Sequence, residues 1–155
     1  MKDRVLSIEQ MQELVALGVD TSKASMCWFP MTLSDENNQP VTKSYFLGIH
    51  HKACNLYWNT NDGREPIPTF TVQDILDMLP QGFYLEENTT SLDKKAFLQI
   101  NKTTDGAYNI AYEQSWDENG KLEIKMHGQQ VNTSLLQAAF NMLIWCKQNN
   151  KMNKI

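Results

Sequence analysis

No run of apolar residues in this 155-residue chain approaches the roughly 20 that a membrane-spanning helix needs. The opening Met-Lys-Asp-Arg-Val-Leu-Ser holds no apolar stretch of signal-peptide length. The expectation is a cytoplasmic protein without membrane contact. On that reading the Asn-X-Ser/Thr tripeptides at Asn88, Asn101 and Asn132 are chance matches to a glycosylation acceptor. Cysteine is scarce. Cys27, Cys54 and Cys146 cannot all pair within the chain, and Cys27 and Cys146 stand beside tryptophans in apolar runs. They read as reduced, mostly buried thiols. The seven glycines are scattered, which excludes a glycine-rich phosphate loop. A positive excess is also missing. Fourteen Lys and Arg face 18 Asp and Glu, a net charge of −4 that opposes a phosphate-binding footprint.

What is present describes an ordinary globular chain. The composition is 41% hydrophobic and 21% charged. The length suits a single globular domain over 1–155, able to bury about two thirds of its unfolded surface without a disulfide or metal. Charge is uneven along it. The last acidic residue is Glu123, so Lys125, Lys147, Lys151 and Lys154 leave the final segment positive. Lysines near a helix C-terminus meet the negative end of its dipole, which accounts for them more simply than a nucleic-acid tail.

Three helices are legible. In the first, 8–17, Ser7 and Gln10 form a capping box and Leu6 staples to Met11. Gly18 ends it, with Val19 folding back on Leu14. In the second, 72–79, Thr71 is the cap and Asp74 the third residue, and Pro80 and Gly82 stop it. Gln73, Asp74 and Asp77 are expected on its solvated side. The third, 132–147, is apolar almost all round, so burial on most sides is expected, in a core or partly in a subunit interface. Asn132 is its expected cap, with Val131 stapling to Leu136.

Strands fill the remainder. Met26–Leu33 and Val41–His50 suggest a hairpin, with Pro30 pushing the first strand to an edge or bulge. Residues 59–68 are the richest in turn formers and read as an exposed loop. Beyond the second helix the period becomes two. Segments at 83–87, 95–102, 107–116 and 121–127 form a meander, with Thr103-Thr-Asp-Gly106 and Asp117-Glu-Asn-Gly120 as turns. Leu122, Ile124 and Met126 are expected inward, with Lys121, Glu123, Lys125 and His127 outward. The predicted fold is α+β: an antiparallel sheet of about five to six strands, ending in a meander, packed against the three helices.

Chemistry is sparsely marked. His50, His51 and Cys54 are the one local cluster of ligand types, but no second pair lies at zinc-like spacing, so neither a metal nor a cofactor is implied. Cys54 beside a histidine lacks the context of a nucleophile. Lys95, Lys102, Lys121 and Lys125 on an outer sheet face would suit single-stranded nucleic acid. Tyr108, Tyr112 and Trp116 share the parity of Ile110, however, and so belong on the dry face. Exposed aromatics are common anchors for protein partners. The interface candidates are Trp28, Phe29 and Trp58 from the aromatic-rich first third, with Phe140 and Trp145 from the last helix.

The runs Ile67-Pro-Thr-Phe-Thr-Val-Gln-Asp-Ile-Leu-Asp-Met-Leu-Pro80, Leu136-Gln-Ala-Ala-Phe-Asn-Met-Leu-Ile-Trp-Cys146 and Thr21-Ser-Lys-Ala-Ser-Met-Cys-Trp28 resemble an uncharacterised family of small phage and prophage-associated proteins from gut anaerobic bacteria. The resemblance implies a bacterial or phage origin and no known activity, and it transfers no site residues. The functional expectation is a non-enzymatic accessory protein acting through contacts with another protein or with a second copy of itself. One alternative is a small enzyme or small-molecule binder with a pocket near His50, His51 and Cys54. The other, a single-stranded nucleic-acid binder, is disfavoured by charge.

Overall fold

The computed structural model describes residues 4–50, 63–86 and 91–152. They form an α+β fold of three helices and two antiparallel sheets, one of three strands and one of four. The expected single sheet is thus divided. The division follows two compact units, Met1–Asp74 and Ile75–Ile155.

The first unit opens on α1 (Ile8–Ala16). Its capping box is complete: Ser7 Oγ accepts from Gln10 N at 3.2 Å, and Gln10 Oε1 accepts from Ser7 N at 2.9 Å. Gly18 adopts φ 74°, and Val19 N donates to Leu14 O at 3.0 Å, closing a Schellman motif. Leu6, Met11 and Leu14 are buried. Strands β1 (Met26–Ser34) and β2 (Pro40–Ile49) form the expected hairpin. The short β3 (Ile67–Thr69) pairs with β1 over Met26–Trp28. Ile67 and Pro68 therefore belong to the sheet and not to the turn-rich loop, of which residues 59–62 lie outside the described residues. The sheet order is β2-β1-β3, so β1 is central where β3 flanks it. Pro30 falls beyond that pairing, where a missing N–H interrupts no ladder with β3. Leu6 fastens the unit. Its carbonyl accepts from Trp28 Nε1 at 3.0 Å and Thr69 Oγ1 at 2.8 Å, while its N–H donates to Phe70 O.

The helix α2 (Val72–Met78) begins in the first unit and ends in the second. Thr71 Oγ1 accepts from Asp74 N at 3.2 Å, and Asp74 accepts from Thr71 N at 2.8 Å. Asp74 also accepts from Ser25 Oγ at 2.7 Å and Ser25 N at 3.3 Å. It is a tie to the start of β1, not a member of a merely solvated face.

The second unit holds the sheet β4-β5-β6-β7, built from Gly82–Tyr84, Lys95–Lys102, Tyr108–Glu118 and Lys121–Asn132. Helix α3 (Leu135–Gln148) packs against β6 and β7. It buries Leu136, Ala138, Ala139, Phe140, Met142, Leu143 and Cys146. Its cap is Ser134, whose Oγ accepts from Gln137 N at 3.3 Å. Asn132 stays in the ladder opposite Tyr108 and accepts from Ser134 N instead. Val131 is exposed and does not staple the helix.

β7 runs five residues further than its alternation suggests because it contains a bulge. Ile110 pairs with Gln130 and Tyr112 with His127, so Gly128 and Gln129 together oppose Ala111. Gly128 has φ 64°, the left-handed glycine of a G1 bulge. The same residue passes beneath α3, where an added Cβ would come within 2.5 Å of Trp145 Cδ2.

Candidate functional site

His50 is half-buried at the end of β2. Its Nδ1 lies 2.9 Å from Ala24 O and its backbone N–H donates to Ser25 O, so ring and main chain together secure the segment entering β1. His51 and Cys54 lie outside the described residues, as does Trp58. Among the described residues, no three His, Cys, Asp or Glu gather as a metal site would require.

The other aromatic candidates make their contacts within their own units. Phe29 is buried and stacks on Phe46 with centroids 5.5 Å apart. Trp28 is half-buried and committed to the Leu6 carbonyl. Phe140 is buried in α3. Trp145 is half-buried and joins Phe83 and Tyr112 in a ring cluster, 6.1 Å from each. Lys151 Nζ stands 4.7 Å from the Phe83 centroid.

Beneath those rings, Tyr112 donates to Pro80 O at 2.9 Å, and Cys146 Sγ lies 3.6 Å from Tyr112 Oη. Burial drives both groups upward: the phenol rises well above its ordinary value, and the Cys146 thiol is pushed up to about 11, against an opposing pull from the Tyr112 hydrogen bond. A thiol so held is neutral near pH 7 and a poor nucleophile. Cys27 is buried too. The arrangement packs β6 against α3.

The register of the second sheet settles which side chains share a face. Tyr112 pairs with Leu98 and His127, and Ile110 with Ile100. These lie on the face that α3 approaches. Through the same pairings Glu123 and Lys125 share a face with Trp116 and Gln114. Leu122, Ile124 and Met126 therefore point the other way, opposite Asp117, Ser115 and Glu113. They are 66%, 52% and 37% exposed, which overturns their expected inward placement. Period-two alternation gives two faces but not which one is covered, and α3 covers the set containing Tyr112 and His127. Phe97, opposite Glu113, adds a further exposed side chain to the open face.

The lysines do not form one platform. Lys95 shares the parity of Phe97, while Lys102, Lys121 and Lys125 share that of Tyr112. Lys95 and Lys102 lie over aromatic rings, at 5.0 Å from Phe97 and 5.5 Å from Tyr108. Sequence reasoning missed the Leu122–Ile124–Met126 row as a surface. The signal was the tight turn at Asn119-Gly120, which sets Leu122 opposite Asp117 and Glu123 opposite Trp116. No helix among the described residues is long and apolar enough to cross a membrane. Comparison with known proteins finds no matching family model, curated protein or solved structure.

Proposed function

We propose that this chain is an interaction protein, and that the open face of its second sheet is where it meets a protein partner. In the setting its resemblance implies, it is a non-enzymatic accessory protein of a phage or mobile element. The observation that carries the reading is the row Leu122, Ile124 and Met126, three exposed apolar side chains at every second position of one strand. Singly exposed apolar residues are ordinary, but a contiguous row about 14 Å long is a surface suited to another chain. β7 is also the last strand of its sheet, so the row borders a line of main-chain donors and acceptors. Side chains would supply affinity and the strand edge orientation.

The test is a photo-crosslinking amino acid placed at Ile124 and, separately, at the exposed Glu36 of the β1–β2 hairpin. Illumination in expressing cells is expected to give discrete protein adducts from Ile124 and none from Glu36. The absence of adducts from Ile124, or equal labelling from both positions, sinks the reading.

A further inference from the structure

We infer that the partner of this surface is a second copy of the chain, paired antiparallel through β7 with Ile124 opposite Ile124 of the other copy. The inference rests on the reading of the open face as a protein-binding surface and specifies its occupant.

Three features of β7 converge on it. The first is the free edge. β7 ends the sheet, and among the described residues no strand pairs with its outer side. The second is the length of strand available. The turn at Asn119-Gly120 precedes β7, and the bulge at Gly128 bends it, so the regular stretch is Lys121–His127. Ile124 is its midpoint. A twofold axis perpendicular to the paired sheets passes between a residue and its own copy, so a symmetric pairing that uses the whole stretch is centred on Ile124.

The third feature is charge. With Ile124 at the centre, Glu123 faces Lys125 of the second copy, and Lys125 faces its Glu123. On the opposite side of the ladder Leu122 faces Met126, Ile124 faces Ile124, and Met126 faces Leu122. The apolar rows of both copies then merge into one, and each acidic residue of the stretch is met by a lysine. Moving the centre one residue toward Glu123 sets Glu123 against Glu123 and Lys121 against Lys125. Moving it one residue the other way sets Lys125 against Lys125. Both shifts bring like charges into direct opposition, which destabilises a ladder. Lysines on an edge strand ordinarily discourage pairing with other strands. Here they exclude other registers and permit one. The ion pair of Lys121 with Glu123, at 2.9 Å, does not compete strongly, because Lys121 is highly exposed and such pairs are weak in water.

The experiment is light scattering across a dilution series on three chains: the natural one, Glu123→Lys, and Glu123→Lys/Lys125→Glu. Neither position is buried, and circular dichroism verifies folding. The natural chain is expected near twice 17.9 kDa at high concentration. Glu123→Lys sets lysine against lysine twice and is expected to weaken dimerisation about tenfold or more. The double exchange restores opposite charges in both pairs and is expected to recover the dimer. A dimer indifferent to Glu123→Lys overturns the register, as does a double exchange that stays monomeric while folded. A natural chain monomeric at every concentration overturns self-pairing outright. If Ile124 still crosslinks to a different protein in that case, the broader reading of the surface stands and only the identity of its occupant is wrong.

Discussion

Gly128 lies directly under the indole of Trp145. A Cβ built on it would approach Trp145 Cδ2, Cε3 and Cε2 at 2.5, 2.6 and 2.7 Å. Two demands meet at this residue: a left-handed backbone conformation at φ 64°, and room for a ring. Satisfying both lets α3 lie close to β7 and reverses the facing of the strand on either side of the bulge.

Gly128→Ala is accordingly expected to cost about 2–4 kcal/mol, combining left-handed strain with overpacking. Gly120→Ala provides the control. Gly120 has φ 80° but nothing within 4 Å of an added Cβ, so about 1–2 kcal/mol of backbone strain alone is expected. Urea unfolding midpoints measure both. Equal losses would mean that the indole moves aside at no cost.

Much of the fold was legible because local chemistry is read over a few residues. Ser7 with Gln10, Gly18 with Val19, and Thr71 with Asp74 each announce a helix end, and each capping or terminating interaction is present. What escaped depended on partners remote in sequence. Which face of β7 is covered depends on where α3 packs, and no window around residue 124 contains that helix. The turn at Asn119-Gly120 already sets Leu122, Ile124 and Met126 on the face away from Trp116. The sequence pattern starts the third helix too early, at Asn132, because a bulge keeps β7 in the ladder past its visible alternation.

Asp74 serves two structures with one carboxylate: the start of α2, and Ser25 ahead of β1. Asp74→Ala removes the acceptor for Thr71 N and both Ser25 contacts, and about 1–3 kcal/mol is expected from lost capping and charge-assisted bonds. Ser25→Ala is expected to cost less, since the cap survives it. Chemical denaturation orders the two variants, and a larger loss from Ser25→Ala would contradict the assignment.

His127 is held below its ordinary pKa of 6.5, first by burial and then by the nearby charges of Lys125 and Lys151. The unfolded chain therefore binds the proton more readily than the folded one. The stability tied to neutral His127 is fully present above the unfolded value and is lost as the pH falls below about 6.5 through the folded value. Melting temperature is expected to decline between pH 7 and pH 5, and His127→Gln is expected to flatten that decline. The glutamine retains a polar group near Gln114, which lies 3.1 Å from His127 Nε2. An unchanged slope in the variant would assign the pH dependence to other groups.

The Leu6 carbonyl has a consequence for synthesis. Its two side-chain donors lie 22 and 63 residues further along the chain, and its own N–H waits for Phe70. On the ribosome, α1 emerges early with its caps complete, but an isolated helix of nine residues is marginal in water. The clasp that secures it is among the last parts of the first unit to leave the exit tunnel. A nascent chain halted before Ile67 holds all of α1 and the β1–β2 hairpin and still lacks the closing strand. This unit is therefore completed late in its own translation, and the part made first is secured last.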